Sequence, residues 1–206
     1  MKPLFSLLTA SMLSACIVPS APGVRSDSNA SGAGARVNCW KATETAKNNV
    51  FAFTARFNLT LAQRPQEKTE RQFSGRLVWR RDAAGDHLII SDPLGRGIAA
   101  LTHPVDGNFL LQLTDGSQRE AADPEQLLAE TLGVPLPLAE LAAWVAACPG
   151  PGALVEADAA GRPWRVRESG WLMMYRYADE SALRPVRLDA SLESVLKLRL
   201  AFESWE

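Results

Sequence analysis

Residues 51–61, FAFTARFNLTL, alternate between large apolar and smaller or polar side chains along their whole length. One set of alternate positions holds Phe51, Phe53, Ala55, Phe57, Leu59 and Leu61. Successive side chains of a β-strand point to opposite faces, so this period of two predicts a long strand with one dry and one wet face. The dry face needs a cover, which the rest of the chain must supply.

The same alternation recurs along the sequence. Residues 70–81 set Phe73, Leu77 and Trp79 against Arg76 and Arg80. Further strand-like runs occupy residues 87–91, 97–102, 108–114, 117–121, 153–157, 162–168, 170–177, 184–190 and 194–204. We count about ten or eleven strands, which is enough for a strongly curled sheet or a barrel. Asp-Gly pairs at 106–107 and 115–116 favour tight hairpins, so consecutive strands should be antiparallel.

Two helices interrupt this series of strands. Asp123 is a predicted N-cap before Pro124, and Gly133 ends that helix. Pro137 opens a second helix that ends before Pro149. Its apolar face carries Leu138, Leu141, Trp144 and Val145. A weaker helix is predicted at 38–50.

These apolar helices can cover the dry face of the sheet in two ways. They can form a lid over a hollow interior, or they can plug a filled core. Composition alone does not separate the two arrangements.

The N-terminus differs from the rest of the chain. Lys2 precedes an apolar run from Leu4 to Leu13, which has the length of a secretory signal core. The run ends in LSAC, residues 13–16, which resembles the bacterial lipobox, although a cleaved signal with a chance cysteine is the alternative. We therefore predict a signal peptide at 1–15 and a lipidated Cys16. Ile17 replaces the Asp that usually retains lipoproteins at the inner membrane, which indicates the outer membrane.

Three regions follow from this division. Residues 16–36, rich in Pro, Gly, Ser and Ala, are predicted to form a flexible linker behind the lipidated cysteine. Residues 37–206 form a single predicted domain. If Cys16 carries lipid, Cys39 and Cys148 remain as either a disulfide or two buried thiols.

Several classes of function lack support in the sequence. The 22 basic and 23 acidic residues nearly balance without long runs of one sign, so nucleic acid is not an expected partner. His87 and His103 have no carboxylate or cysteine at ligand spacing, so no metal site is predicted. Catalytic and nucleotide-binding motifs are missing as well. We therefore expect neither an enzyme nor a cofactor.

The stretch ISDPLGRGIA, residues 90–99, contains an unusual turn. Asp92, Pro93 and Gly95 are typical turn residues, but Leu94 between them is a bare aliphatic side chain. At the tip of a turn it has no core to enter. Packing therefore gives no reason for this residue.

Several motifs together resemble the LolB family of outer-membrane lipoprotein receptors. They are FxxxARFxLxL, FSGRLVWRR, SDPLG, ADPEQLLAETLGVPLPLAELAAWV, SGWLMMY and a final FESW, and they span residues 40–205. The resemblance implies a mainly β fold, an unclosed antiparallel β-barrel of about eleven strands enclosing an apolar cavity beneath a helical lid.

The resemblance also implies a function. Members of the family accept acylated lipoproteins from the periplasmic carrier LolA and insert them into the outer membrane, without nucleotide. Leu94 matches the residue that protrudes from the barrel and assists membrane insertion. The expected location is the periplasmic face of the outer membrane, through a lipid anchor at Cys16.

The apolar residues give candidates for the cavity wall. They are Phe57, Trp79, Leu138, Leu141, Trp144, Trp171 and Tyr175. Each of them could equally be an ordinary core residue. Two rival functions stay open: a lipocalin-like lipoprotein that holds a free hydrophobic ligand in a closed barrel, and a structural lipoprotein with a solid barrel.

Overall fold

The computed structural model describes residues 50–62, 70–133 and 136–206. The predicted signal peptide at 1–15, Cys16, the linker at 16–36 and Cys39 lie outside the described residues. The predicted helix at 38–50 lies outside them too, except for Val50.

Within these described ranges, eleven strands form one antiparallel sheet. They are β1 (Phe51–Leu61), β2 (Arg71–Asp82), β3 (Gly85–Ser91), β4 (Gly97–Pro104), β5 (Phe109–Leu113), β6 (Gln118–Ala121), β7 (Leu154–Ala157), β8 (Pro163–Glu168), β9 (Trp171–Arg176), β10 (Arg187–Leu192) and β11 (Leu196–Trp205). Two helices, α1 (Pro124–Leu132) and α2 (Leu138–Val145), stand between β6 and β7 in the chain.

The sheet is curled but open. Its strand order is β6-β5-β4-β3-β2-β1-β11-β10-β9-β8-β7, so the long strand β1 lies near the middle between β2 and β11. Within the described residues, β6 and β7 are the two edges and do not pair with each other. The predicted unclosed antiparallel barrel of about eleven strands is confirmed.

The strand register decides which turns share an end of the barrel. Leu61 of β1 pairs with Arg71 of β2 and with Leu196 of β11, which places these residues at one end. The turns at 92–96, 114–117, 169–170 and 193–195 lie at this end, which we name the Leu94 end. The turns at 83–84 and 105–108 and the loop at 177–186 lie at the opposite end, which we name the Phe51 end.

Both helices have identifiable starts or stops. The Asp123 carboxylate accepts hydrogen bonds from the backbone N–H groups of Glu125 and Gln126, and Gly133 ends α1 in the left-handed conformation with φ 69°. Helix α2 ends at Val145, four residues before the proline that was expected to stop it. Ala147 adopts φ 55° there and its N–H bonds the Trp144 carbonyl, which closes the helix early. None of the described helices reaches the length and apolarity needed to cross a bilayer.

The Phe51 end holds a packed aromatic cluster. The rings of Phe51 and Trp79 lie 5.4 Å apart, and Phe53 lies 5.1 Å from both Phe202 and Trp205. The Trp205 indole donates to the Pro185 carbonyl at 3.0 Å. The dry faces of β1 and β11 at this end are therefore filled by packed aromatic rings.

Gly75 allows β2 and β3 to approach closely beside β1. A Cβ at this position would lie 2.0 Å from the Ser91 carbonyl oxygen and 3.0 Å from the Phe57 ring. Only glycine therefore fits between the two neighbours at this point of the sheet.

Candidate functional site

An apolar chamber of about 390 Å³ lies between the sheet and the two helices. Its wall consists of Phe57, Leu59, Gln72, Phe73, Ser74, Leu77, Leu88, Ile90, Ile98, Leu101, Leu128, Leu136, Leu138, Leu141, Leu198 and Leu200. Of these described lining residues, only Gln72 and Ser74 have polar side chains. The volume falls within the range of small-ligand sites, roughly 300–1,000 Å³. The helices therefore cover a hollow and do not fill it completely.

The chamber has its mouth toward the Leu94 end. Four exposed residues lie at the starts of two strands: Gln72, Phe73 and Ser74 in β2, and Ile98 in β4. Phe73 and Ile98 each keep 37% of their surface accessible although they line the chamber. An apolar group can therefore reach the interior between these residues.

The structure separates the predicted cavity residues into three groups. Phe57, Leu138 and Leu141 line the apolar chamber. Trp79 lines a second chamber of about 490 Å³ at the Phe51 end. The other three candidates are buried but line neither chamber: Trp144, Trp171 and Tyr175.

These three residues hold α2 against the sheet. The Trp144 indole donates to Glu168 Oε2 at 2.7 Å and lies 5.3 Å from the Trp171 ring. The Tyr175 hydroxyl donates to the Trp144 carbonyl at 3.0 Å, and burial raises the pKa of Tyr175 above its usual range. Glu168 Oε1 also accepts from the Gly150 N–H at 2.9 Å. The C-terminal half of α2 is thus fixed by hydrogen bonds as well as by packing.

Half of the sixteen described lining residues are leucines that were not named as cavity candidates from the sequence. They are Leu59, Leu77, Leu88, Leu101, Leu128, Leu136, Leu198 and Leu200. The alternation within residues 51–61 and 70–81 already places Leu59 and Leu77 on dry faces. The alternation of apolar residues is visible in the sequence, but the same pattern marks residues of a filled core and residues of a cavity wall.

Leu94 stands at the tip of the turn between β3 and β4, with 80% of its surface exposed. Asp92 organises the turn: its Oδ1 accepts from the N–H groups of Leu94 and Arg96, and its Oδ2 accepts from Arg96 Nε at 2.6 Å. The Arg96 backbone N–H and side chain, with the Leu94 N–H, lower the pKa of Asp92. Gly95 follows with φ 84° and open space around it. The turn is ordered from within and presents Leu94 outward.

The wall of the second chamber includes charged side chains. Asp86 is buried there and accepts from the Trp79 indole and, at two oxygens, from Arg81. Burial alone would raise the pKa of Asp86, but the hydrogen bonds from Arg81 and Trp79 outweigh it and lower the pKa. Across the described ranges, no group of three or more His, Cys, Asp or Glu is placed to hold a metal ion.

Cys148 follows α2 and is disulfide-bonded.

The open antiparallel barrel, its dry chamber and its helical cover together define a class of protein that shelters an apolar ligand. The family model described as outer membrane lipoprotein LolB matches residues 55–205. The outer-membrane lipoprotein LolB of Dechloromonas aromatica (strain RCB) is 33% identical over 168 residues, covering 80% of this chain and 87% of that protein. That of Azoarcus sp. (strain BH72) is 40% identical over 136 residues, covering 65% of this chain and 69% of that protein.

Among solved structures, a LolA superfamily protein from Nitrosomonas europaea aligns with a TM-score of 0.47 and 13% identity, covering 84% of this chain and 92% of that chain. The family model covers well over half of the sequence. This chain belongs to the outer membrane lipoprotein LolB family.

Proposed function

We propose that this protein is an outer-membrane receptor that accepts acylated lipoproteins from the periplasmic carrier LolA and inserts them into the outer membrane. The observation that carries the proposal is the leucine-lined chamber of about 390 Å³ beneath α1 and α2. Membership of the LolB family supports it independently.

The chamber matches the energetic need of such cargo. Each methylene removed from water gains about 0.8 kcal/mol, so an acyl chain of about sixteen carbons represents roughly 12 kcal/mol. A dry wall can supply this free energy, whereas a polar one cannot. Release then requires that the chamber hold the chain less tightly than the bilayer does and more tightly than the carrier does.

Leu94 is the proposed membrane-insertion residue. It lies at the same end of the barrel as the chamber mouth, and the β4 strand that follows its turn contributes Ile98 to that mouth. Burying one leucine side chain in the acyl region is worth about 2 kcal/mol. Leu94 would thus bring the mouth against the membrane surface into which the cargo is delivered.

The lipid on Cys16 is the proposed anchor. It would hold the domain on the periplasmic face of the outer membrane, with residues 16–36 as the tether. Two or more acyl chains anchor a protein durably where one does not.

The rival readings fit the structure less well. A lipocalin-like carrier of a free ligand would close its barrel, whereas β6 and β7 are unpaired edges within the described sheet. A structural lipoprotein with a solid barrel would lack the chamber.

The deciding experiment is depletion of this protein in its own bacterium, followed by fractionation of the other lipoproteins. We expect them to accumulate in soluble periplasmic complexes with the carrier, because they would have no acceptor. Restoring the wild-type gene is the control and should return them to the outer membrane. Lipoproteins that continue to reach the outer membrane at normal rates during depletion would overturn the proposal.

A further inference from the structure

The outer face of the described sheet carries two pairs of arginines that face each other across neighbouring strands. Arg56 of β1 lies directly opposite Arg76 of β2. Arg187 of β10 lies directly opposite Arg176 of β9. Ala201 of β11 lies opposite both Arg56 and Arg187, so it joins the two pairs. The four arginines therefore form one row across five adjacent strands.

The stability of the sheet gives no reason for the Arg56–Arg76 pair. Like charges directly opposite each other on neighbouring strands are destabilising. Glu203 offsets part of this repulsion, since it lies 2.8 Å from Arg56 Nε and 3.0 Å from Arg76 Nη2. One carboxylate between two guanidinium groups leaves one positive charge uncompensated. The two arginine side chains keep 76% and 54% of their surface exposed, so this charge faces the solvent.

The Arg56–Arg76 pair lies beside the turn that presents Leu94. Arg76 is opposite Ser91, the last residue of β3, and the turn at 92–96 begins directly after Ser91. The Ser91 hydroxyl donates to the Arg76 carbonyl at 3.4 Å, which holds the start of the turn at this position. We therefore name Arg56 and Arg76 the near pair.

The second arginine pair lies farther from Leu94. Arg187 is on β10, which is four strand spacings, or roughly 19 Å, from β3 along the sheet. Arg176 is one strand farther still. We name these two residues the far pair. Because the sheet is curled into an open barrel, the near and far pairs face different directions.

The strand register decides which surface meets a membrane together with Leu94. β3 ends at Ser91, whereas β2 continues past Arg76 from Gly75 to Arg71 toward the Leu94 end. The Leu94 turn therefore leaves the sheet beside β2 and not beyond its end. A bilayer that receives Leu94 thus also meets the outer face of β2 beside the turn.

The other side chains on this outer face suit a layer of lipid headgroups. Past Arg76, β2 presents Ser74 and Gln72, which also lie at the chamber mouth. Asn58 and Thr60 of β1 lie opposite them. All four of these side chains are polar and uncharged. The near pair therefore adjoins a polar surface that continues to the mouth.

We propose that Arg56 and Arg76 bind the phosphate groups of phospholipids when Leu94 enters the bilayer, so that the outer face of β1 and β2 lies on the membrane. The ligand class is the phosphodiester of a lipid headgroup. Guanidinium groups suit it because they donate pairs of hydrogen bonds to phosphate oxygens. This inference rests on the proposed function and adds a headgroup-binding site to it.

The parts of this chain outside the described residues do not complement the near pair in charge. Residues 17–49 contain four basic and two acidic residues, and residues 63–69 contain two basic and one acidic residue. Both segments carry a net positive charge, which disfavours them as occupants of this surface. The position of the near pair beside Leu94 favours a lipid surface over an acidic protein.

Reversible binding to vesicles tests this site. The mature chain with Cys16→Ser lacks the acylated cysteine, so its membrane binding depends on the folded domain and the tether. Flotation measures its partition coefficient on vesicles of phosphatidylcholine alone and of phosphatidylcholine mixed equally with phosphatidylglycerol. We expect the mixed vesicles to bind it more tightly, and added salt to remove the difference.

The two arginine pairs provide a matched comparison on the mixed vesicles. Arg56→Gln with Arg76→Gln should lower the partition coefficient by about thirtyfold, since each arginine near an anionic surface is worth about fivefold. Arg176→Gln with Arg187→Gln removes the same charge and should change it by less than about twofold, because the far pair lies beyond the Debye length of about 10 Å.

Thermal unfolding checks that both double variants fold as the wild type does. All four arginines lie on the outer face, so we expect no large change in the unfolding midpoint. If one double variant does not fold, the single variants Arg76→Gln and Arg176→Gln give the same comparison, with an expected loss of about fivefold for the first alone.

The possible outcomes separate the headgroup site from the receptor function. Unchanged binding by the near-pair variant, or an equal loss in both variants, overturns the headgroup site. A near-pair variant that binds vesicles normally but accepts less lipoprotein from the carrier assigns these arginines to a protein partner, which also overturns it. The receptor function stands in each case. It fails only if the wild-type chain accepts no lipoprotein from the carrier, which is measured without vesicles.

Discussion

Replacing Leu94 with glutamate tests the membrane-insertion role most directly. The side chain is 80% exposed and the turn is ordered by Asp92, so the free energy of unfolding should change by less than about 0.5 kcal/mol. Losing about 2 kcal/mol of membrane burial should slow insertion roughly thirtyfold. Binding of the acyl chain should be retained, because Leu94 does not line the chamber.

The assay follows transfer in two stages. A complex of the carrier with a labelled lipoprotein is mixed with the variant in outer-membrane vesicles, and the label is measured both on the variant and in the bilayer. Leu183→Glu is the matched control, since Leu183 is 84% exposed at the Phe51 end. We expect Leu94→Glu to accumulate bound lipoprotein and Leu183→Glu to behave as wild type.

Two results would refute this reasoning. Delivery at the wild-type rate by Leu94→Glu would show that no apolar tip is needed. An equal defect in Leu183→Glu would show that negative charge anywhere on the domain impairs docking at the membrane.

Three further predictions concern the chamber and the core. Leu101→Phe should lower saturable uptake of a fluorescent fatty acid by filling the chamber, whereas Ala100→Phe on the outer face should not; equal uptake by both contradicts the chamber assignment. Glu168→Ala should cost about 1–3 kcal/mol in urea unfolding, because Trp144 loses its acceptor; a change near zero contradicts this. The lowered pKa of Asp86 should make the thermal midpoint fall with pH below about 4, less so in Asp86→Asn; an identical pH profile in both contradicts it.

The sign of the pH effect follows from the direction of the shift. Asp86 has a lower pKa in the folded than in the unfolded chain, so it binds fewer protons when folded. Its contribution is therefore present above the unfolded pKa and is lost as the pH falls through the folded one.

The alternation of side chains predicted most of the sheet. The dry positions of residues 51–61 are buried or partly buried in β1, and the Asp-Gly pairs at 106–107 and 115–116 fall in turns between antiparallel strands. The N-cap at Asp123 and the stop at Gly133 bound α1 as expected. These features were accessible because they depend on neighbours in the sequence.

The division between core and cavity was not accessible in the same way. Trp144 and Leu141 share one face of α2 and are both buried, yet only Leu141 lines the chamber. The periodicity of apolar residues assigns a side chain to one face of a helix or strand. It does not show whether a side chain from the facing element packs against it. That depends on contacts between distant segments, such as the one between Trp144 and Glu168.

The distribution of residue types gives a physical reason for the use of leucine in the chamber wall. The indoles of Trp144 and Trp205 and the hydroxyl of Tyr175 all donate to protein acceptors, and none of these three side chains lines a chamber. Leucine has no polar atom that needs a partner. When the ligand leaves a wall of leucines, no hydrogen bond is left unsatisfied. The unfavourable free energy of emptying the chamber therefore comes only from the apolar surface that is exposed. When an acyl chain leaves the chamber, the bilayer buries that chain and so compensates for the apolar wall that its departure exposes. The proposed one-way delivery requires this compensation.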